Sequence, residues 1–408
     1  MTGDMKPAPT LRGYPRADGR KGIRNVVVVG YLVECAHHVA RHITSRFMDR
    51  EVHLIGFPGC YPNAYAEKMM QQLCTHPNVG AALLVSLGCE SMNKRALEQQ
   101  VAASGRPVHT LTIQKSGGTK STIAAGVEWV QWALDQLENT STVAMGIDEL
   151  VIGTTCGGSD GTSGLTGNPA VGRAFDALIA AGAACIFEET GELIGCEPHM
   201  VARAATPALG DEIMRSMEKA ARYYATLGYG SFAVGNSDGG LTTIEEKSLG
   251  AYAKSGASAI HGLLKPGDVP PAGGLYLLDV VPDGEVRFGF PNINDNAELA
   301  ELIACGAHLI LFTTEPRPVV NSTTCAPHAM SSAISALSLM FGKPQRGVPS
   351  GTTSSRYSPA AGTSCPGVTT PWIGPPPDFV YAPSDFSSSV VSPPSALPGA
   401  KLPWPMAV

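Results

Sequence analysis

Four short segments share one arrangement, an apolar or β-branched run followed by glycine and cysteine. They are Phe57-Pro58-Gly59-Cys60, Ser86-Leu87-Gly88-Cys89-Glu90, Gly153-Thr154-Thr155-Cys156-Gly157-Gly158-Ser159-Asp160 and Leu193-Ile194-Gly195-Cys196-Glu197. Glycine lets the chain turn tightly and approach a ligand closely. A thiolate held at such a turn suits a soft or borderline metal such as iron. Three thiolates would also hold an iron–sulfur cluster with one iron open to a substrate hydroxyl. Cys60, Cys89 and Cys156 are the candidate ligands, although a single buried cysteine is as well explained as a small hydrophobe. On that second ground Cys35, Cys74, Cys185 and Cys305, which fall inside apparent helices or strands, are assigned to the core.

Cys156 opens the richest segment. Five glycines between 157 and 167 are interleaved with Ser159, Asp160, Thr162, Ser163 and Thr166, and Asn168-Pro169 follows as the expected cap and first turn of a helix. Loop amides beside a helix N-terminus form an anion site. Ser159, Asp160, Ser163 and Asn168 are therefore candidate contacts for a carboxylate or sulfonate; the plain alternative is an exposed flexible loop. A second glycine loop, 235–243, adds Asn236 and leads to a helix bearing Glu245, Glu246 and Lys247. Proton abstraction beside a carboxylate needs a base near a metal or other electrophile. Glu189, Glu197, His199 and Lys247 are the candidates, set against the plainer reading of solvated surface charge. Arg24, just before the first strand, suits a bidentate grip on a carboxylate. Residues 116–121 lack the glycine a P-loop needs before Lys120, and Gly30 stands alone after the first strand, so neither nucleotide fingerprint is present.

These motifs need elements to hold them. Short apolar runs at 25–33, 52–57, 80–87 and 108–113 predict strands, and 35–47, 64–74, 93–103 and 119–137 predict helices. Beyond a polar break at 138–145, strands are expected at 149–153, 183–188, 232–235, 274–281 and 308–313. Helices are expected there at 169–181, 210–227, 243–254 and 296–305. The alternation predicts an α/β chain of two consecutive, mostly parallel-sheet, Rossmann-like units, 25–145 and 146–314, behind an N-terminal segment 1–24. Ligands gather beyond the carboxyl ends of strands in such sheets, where the motifs fall. From Pro316 onward lie 17 of the 32 prolines and two acidic residues, Asp378 and Asp385, so 315–408 is expected to be an irregular or disordered C-terminal tail.

Composition narrows the partners. The chain has 408 residues, 44% hydrophobic and 16% charged, with a net charge of −6 and no Lys/Arg-rich run, which argues against nucleic acid. No apolar stretch reaches the roughly 18 residues that span a bilayer, and the first ten residues lack a signal-peptide core. Ten cysteines without a Cys-x-x-Cys pair or secretory features predict free thiols or metal ligands in a reducing cytoplasm.

Gly19-x-x-Gly22-x-Arg24-Asn25, Leu87-Gly88-Cys89-Glu90, the run from Cys156 to Gly161 with Asn168-Pro169, and Thr242-Thr243 with Lys247-Ser248-Leu249-Gly250 occur together. On these motifs the chain resembles the altronate/galactarate dehydratase family over about residues 13–314. Within it, the chain looks most like the branch that eliminates sulfite from (2R)-3-sulfolactate, on residues 13–19, 57–63, 188–193 and Gly195-Cys196-Glu197. The resemblance implies ferrous iron (mononuclear or in a cluster) and a further substrate contact at Asn63. It implies loss of the C2 proton and a C3 leaving group from an anionic 2-hydroxy acid. For the sulfite branch it also implies pyruvate as product and a separate small alpha subunit as partner, a part that sugar-acid dehydratases carry as an N-terminal domain. Altronate dehydratases generally have no cysteine at the position of Cys196. The alternatives are a sugar-acid (altronate or galactarate) dehydratase and a non-catalytic binding subunit. The resemblance ends near Thr314, where relatives continue with a Gly-Arg-Gly segment; a shifted reading frame or a divergent C-terminus would account for 315–408.

Overall fold

The structure is a computed structural model that describes residues 11–157, 159–188, 190–226, 236–237, 239–283 and 295–313. The strand expected at 232–235 and the tail 315–408 lie outside these residues. Leu11–Pro15 (β1) and Lys21–Gly22 (β2) open the chain. Val26–Tyr31 (β3), Val52–Gly56 (β4), Val79–Ser86 (β5) and Val108–Thr112 (β6) then form a parallel sheet in the order β4-β3-β5-β6. All eight residues of β5 are buried, as a strand covered on both faces requires. Glu34–Thr44 (α1), Ala64–Cys74 (α2), Lys94–Ala103 (α3) and Thr119–Glu138 (α4) cover the faces. Helix α2 begins where Asn63 Oδ1 accepts the Ala66 N–H, and it buries Ala66, Met69, Met70 and Leu73 along one stripe.

The break at 138–145 contains Val143–Met145 (β7), which returns to pair antiparallel with β1. A second parallel sheet follows: Val151–Cys156 (β8), Ala184–Phe187 (β9), Ile260–Leu264 (β10), Gly274–Leu278 (β11) and Leu309–Thr313 (β12), in the order β10-β11-β9-β8-β12. Its helices are Gly161–Leu165 (α5), Gly167–Ala180 (α6), Glu197–Ala202 (α7), Pro207–Thr226 (α8), Ile244–Lys254 (α9) and Asp295–Ala304 (α10). The chain is thus α/β with two mostly parallel, Rossmann-like sheets. One apolar cluster joins them, from Val28, Met70 and Leu84 to Ile186, Leu278 and Leu302. No helix among the described residues is long and apolar enough to cross a membrane.

Three local expectations are corrected. Helix α6 starts at Gly167 with Thr166 at its N-cap, so Asn168 stands inside the first turn rather than capping it. Cys35 is exposed on the first turn of α1, because it lies off the stripe of Ala36, Val39, Ala40 and Ile43 that the helix buries; Cys74, Cys185 and Cys305 are buried as expected. Strand β10 escapes the apolar-run test because exposed His261 and half-buried Gly262 interrupt it.

Helices α6 and α9 approach backbone to backbone. A Cβ on Gly172 would lie 2.1 Å from the Ala253 carbonyl oxygen and 2.8 Å from the Gly256 nitrogen. Gly172→Ala must therefore push the helices apart, an overpacking cost of about 1–3 kcal/mol. A urea midpoint equal to the parent's would show that the helices do not pack this closely.

Candidate active site

The carboxyl edge of the first sheet carries three exposed thiols, one on the first turn of α1 and two on adjoining loops. Cys35 follows β3, Cys60 follows β4 and Cys89 follows β5. The Glu34 N–H donates to the Pro58 carbonyl at 3.1 Å, and the Ser91 N–H donates to the Cys60 carbonyl at 2.9 Å, which stitches the loops together. Gly88 takes φ +129°, a conformation that disfavours any side chain, and so turns the chain sharply before Cys89. Its N–H donates to Glu90 Oε2 at 2.8 Å. Burial opposes the ionised Glu90, but hydrogen bonds from Ser86 and the Gly88 N–H, with Lys94 nearby, hold its carboxyl below the ordinary value. Glu90 thus fastens the loop. Asn63 spends its side-chain oxygen on capping α2, next to Cys60.

Two thiols on stitched loops fit a shared soft metal. Among the described residues, however, no three Cys, His, Asp or Glu side chains gather closely enough to hold an ion. Cys156 ends β8, in register with Thr313, and the Gly157 N–H donates to the Thr313 carbonyl at 2.9 Å; the Cys156 side chain lies outside the described part. Arg24 sits at the opposite, amino edge of the first sheet. There it pairs with Glu51, and burial lowers its pKa to about 10. It is placed away from the thiol loops and from the pocket below.

That pocket lies beyond the carboxyl end of β8. It has a volume of about 250 Å3 and is lined by Ser159, Asp160, Ser163, Asn168, Glu246 and Lys247, among others. Local hydrogen bonds explain its shape. Asp160 Oδ1 accepts the Ser163 N–H at 2.6 Å, and Ser163 Oγ donates to the Asp160 carbonyl at 2.9 Å, which winds α5. The Gly161 N–H reaches the Gly239 carbonyl at 3.1 Å, and Asn236 Nδ2 the Ser159 carbonyl at 3.5 Å. The two glycine loops, read separately in the sequence, therefore dock on each other. Thr243 Oγ1 accepts the Glu246 N–H at 3.2 Å and starts α9, whose first turn puts Lys247 into the pocket. Lys247 is only 9% exposed and lies 3.9 Å from Glu192. Lys247, hydroxyls and loop amides around a small space suit a compact anion with hydroxyl groups, the Asp160 and Glu246 carboxylates being engaged by Ser163 and Thr242.

The remaining candidate bases are placed elsewhere. Both Glu197 oxygens accept the Gly195 N–H, at 2.9 and 3.0 Å, where Gly195 takes φ +100°. His199 is exposed against Tyr252, with ring centroids 5.9 Å apart. Neither lines the pocket, and Glu189 lies outside the described residues. Cys196 is buried, and burial, then Glu197 and Glu245, push its thiol up to about 11.

The acidic run from Glu188 to Glu192 is readable in the sequence, but Glu298, which acts on the same Tyr224 hydroxyl, is not. Burial, then the charges of Glu192, Glu188 and Glu298, raise the pKa of Tyr224. Glu298, from α10, accepts from Thr155 Oγ1 at 3.2 Å, one residue before Cys156. The only local signal is a pair of acids, Glu298 and Glu301, at a spacing that buries both on α10.

Residues 13–138 match the second domain of the D-galactarate dehydratase/altronate hydrolase family, and residues 147–328 match the D-galactarate/altronate dehydratase C-terminal domain. Altronate dehydratase of Escherichia coli (strain K12) is 29% identical over 318 residues, 74% of this chain and 61% of that protein. Galactarate dehydratase (L-threo-forming) of the same organism is 30% identical over 293 residues, 65% of this chain and 56% of that protein. The (2R)-sulfolactate sulfo-lyase subunit beta of Chromohalobacter salexigens is 30% identical over 290 residues, 66% of this chain and 71% of that subunit. The chain therefore spans about three fifths of the length of the dehydratases it matches. With both sheets, the thiol loops and the glycine-loop pocket inside the matched segments, the chain belongs to the D-galactarate/altronate dehydratase family.

Proposed function

We propose that the chain is the large subunit of a lyase that eliminates sulfite from (2R)-3-sulfolactate, leaving pyruvate. The observation that carries a β-elimination is the convergence of Ser159, Asp160, Ser163, Asn168 and Lys247 on one pocket at a strand end. Lys247, as the neutral amine, takes the C2 proton, and Glu192 holds the ammonium that results. The C2–H electron pair forms the C2=C3 bond as the C3–S pair departs with sulfite; the resulting enol takes a proton at C3. The α5 loop amides hold an anionic end of the substrate. Ferrous iron bound by Cys60, Cys89 and Cys156, as an ion or in a cluster, would supply Lewis acidity toward the carboxylate and 2-hydroxyl. A small alpha subunit is the expected partner, because the sulfo-lyase relative is a subunit beta.

Sulfite as leaving group is supported by the greater share of that subunit covered, 71% against 61% of the altronate dehydratase, and by Gly195-Cys196-Glu197. Loss of water from a sugar acid is the second reading, favoured by dehydratase relatives at equal identity. Anaerobic co-expression with a small subunit, then assays on sulfolactate, altronate and galactarate, separates them. Sulfite with pyruvate is the expected result; a deoxy-oxo sugar acid without sulfite selects the second reading. Cys89→Ser is expected to lose most bound iron and turnover together, and a variant retaining both in full would remove Cys89 from the ligand set.

A further inference from the structure

We propose that Asn168 is a specificity-determining residue of the pocket, its Oδ1 accepting the hydrogen of a ligand hydroxyl. The inference rests on the hydroxy-acid reading above and adds the residue that recognises the hydroxyl. Asn168 lines the pocket and is 4% exposed. Its orientation follows from chemistry: the amide lies 3.0 Å from the Gly250 carbonyl, which can only accept, so the group facing Gly250 is the NH2 and the other is the oxygen. That oxygen is buried and has no hydrogen-bond partner among the described residues. An unpaired buried acceptor costs the fold its desolvation, so native structures nearly always supply a donor. Here the described residues supply none, and the pocket adjoins.

Another buried oxygen, Thr313 Oγ1, is also without a partner among the described residues at the end of β12, where Gly167 approaches the Thr313 methyl. Carboxylate and sulfonate oxygens carry no hydrogen and cannot satisfy Asn168 Oδ1; an alcohol can. The pocket then divides its task, with the loop amides holding charge while Asn168 reads the alcohol. Oδ1 is covered in the structure, so a ligand hydroxyl reaches it only by a local shift of the pocket wall, to which α5 contributes Gly161, Ser163 and Gly164.

Calorimetry on the full chain tests this with pairs that differ only in the 2-hydroxyl: 3-sulfolactate against 3-sulfopropionate, and glycerate against 3-hydroxypropionate. The parent is expected to prefer the 2-hydroxy member by roughly ten- to hundredfold. Asn168→Ala should bring that ratio to within about threefold while keeping its affinity for 3-sulfopropionate, which a general loss of folding would not do. Equal or absent binding of both members by the parent, or a preference that survives in Asn168→Ala, overturns the proposal. A preference that depends on Asn168 without any elimination product leaves this inference standing and sinks the lyase reading instead.

Discussion

Lys247→Met is expected to lower turnover by roughly 10²–10⁴-fold while the chain stays folded, the usual size of a lost general base. Methionine keeps the aliphatic stem that fills the pocket wall, so the amine nitrogen is the main thing removed. The assignment comes from position. Lys247 lines the pocket, whereas the Glu197 carboxylate is spent on the Gly195 N–H and His199 faces outward. Base and anchor roles separate kinetically. Loss of a base cuts kcat and removes one limb of the pH–rate profile; loss of an anion anchor raises KM with kcat nearly intact. Glu192→Gln should reproduce a smaller part of the kcat loss, because Glu192 acts through Lys247 at 3.9 Å. A Lys247→Met enzyme with parental kcat and KM would exclude the residue from both roles.

The legible parts of this molecule are those whose cause is local. Helix α2 can be read to the residue, because Met69, Met70 and Leu73 recur on one stripe and Asn63 stands before it as a cap. Strand β5 is legible as an unbroken apolar run buried on both faces. The pocket was readable as far as Ser159, Asp160, Ser163, Asn168 and Lys247, since each lies in a glycine loop or the helix after it. What the sequence hides is non-local. Arg24 has the chemistry of a carboxylate clamp, but Glu51, at the start of the neighbouring strand, occupies it. Glu298 reaches Thr155 across 143 residues, and nothing near it in sequence announces that contact. The docking of one glycine loop on the other depends on Gly161 meeting Gly239, a pairing no periodicity encodes. Strand β10 exists because β11 accepts it as a neighbour, not because its own residues alternate.

Glu301→Gln is expected to stabilise the protein at pH 8 and to leave it almost unchanged at pH 4.5. Glu301 is buried on α10, where Tyr65 from the first turn of α2 donates to it, so the pair ties a helix of one sheet to a helix of the other. Burial raises its carboxyl from an ordinary 4.5 to about 7, only partly offset by the Tyr65 hydroxyl. Cys305 adds no charge nearby, since burial pushes its thiol up to about 12. The sign then follows from proton counting. Between pH 4.5 and 7 the unfolded chain has released the Glu301 proton while the folded chain retains it. The folded state binds more protons there, so its stability falls as pH rises through that window and levels off above it. A difference of this size corresponds to about 3 kcal/mol. Glutamine keeps an oxygen for the Tyr65 hydroxyl and never ionises, so it escapes that loss. Denaturant titrations of both proteins at pH 4.5, 6 and 8 should show a gap that opens with pH and is widest at pH 8. A gap independent of pH would mean that Glu301 ionises in the fold as it does in the unfolded chain, and that the contact between α2 and α10 is wet.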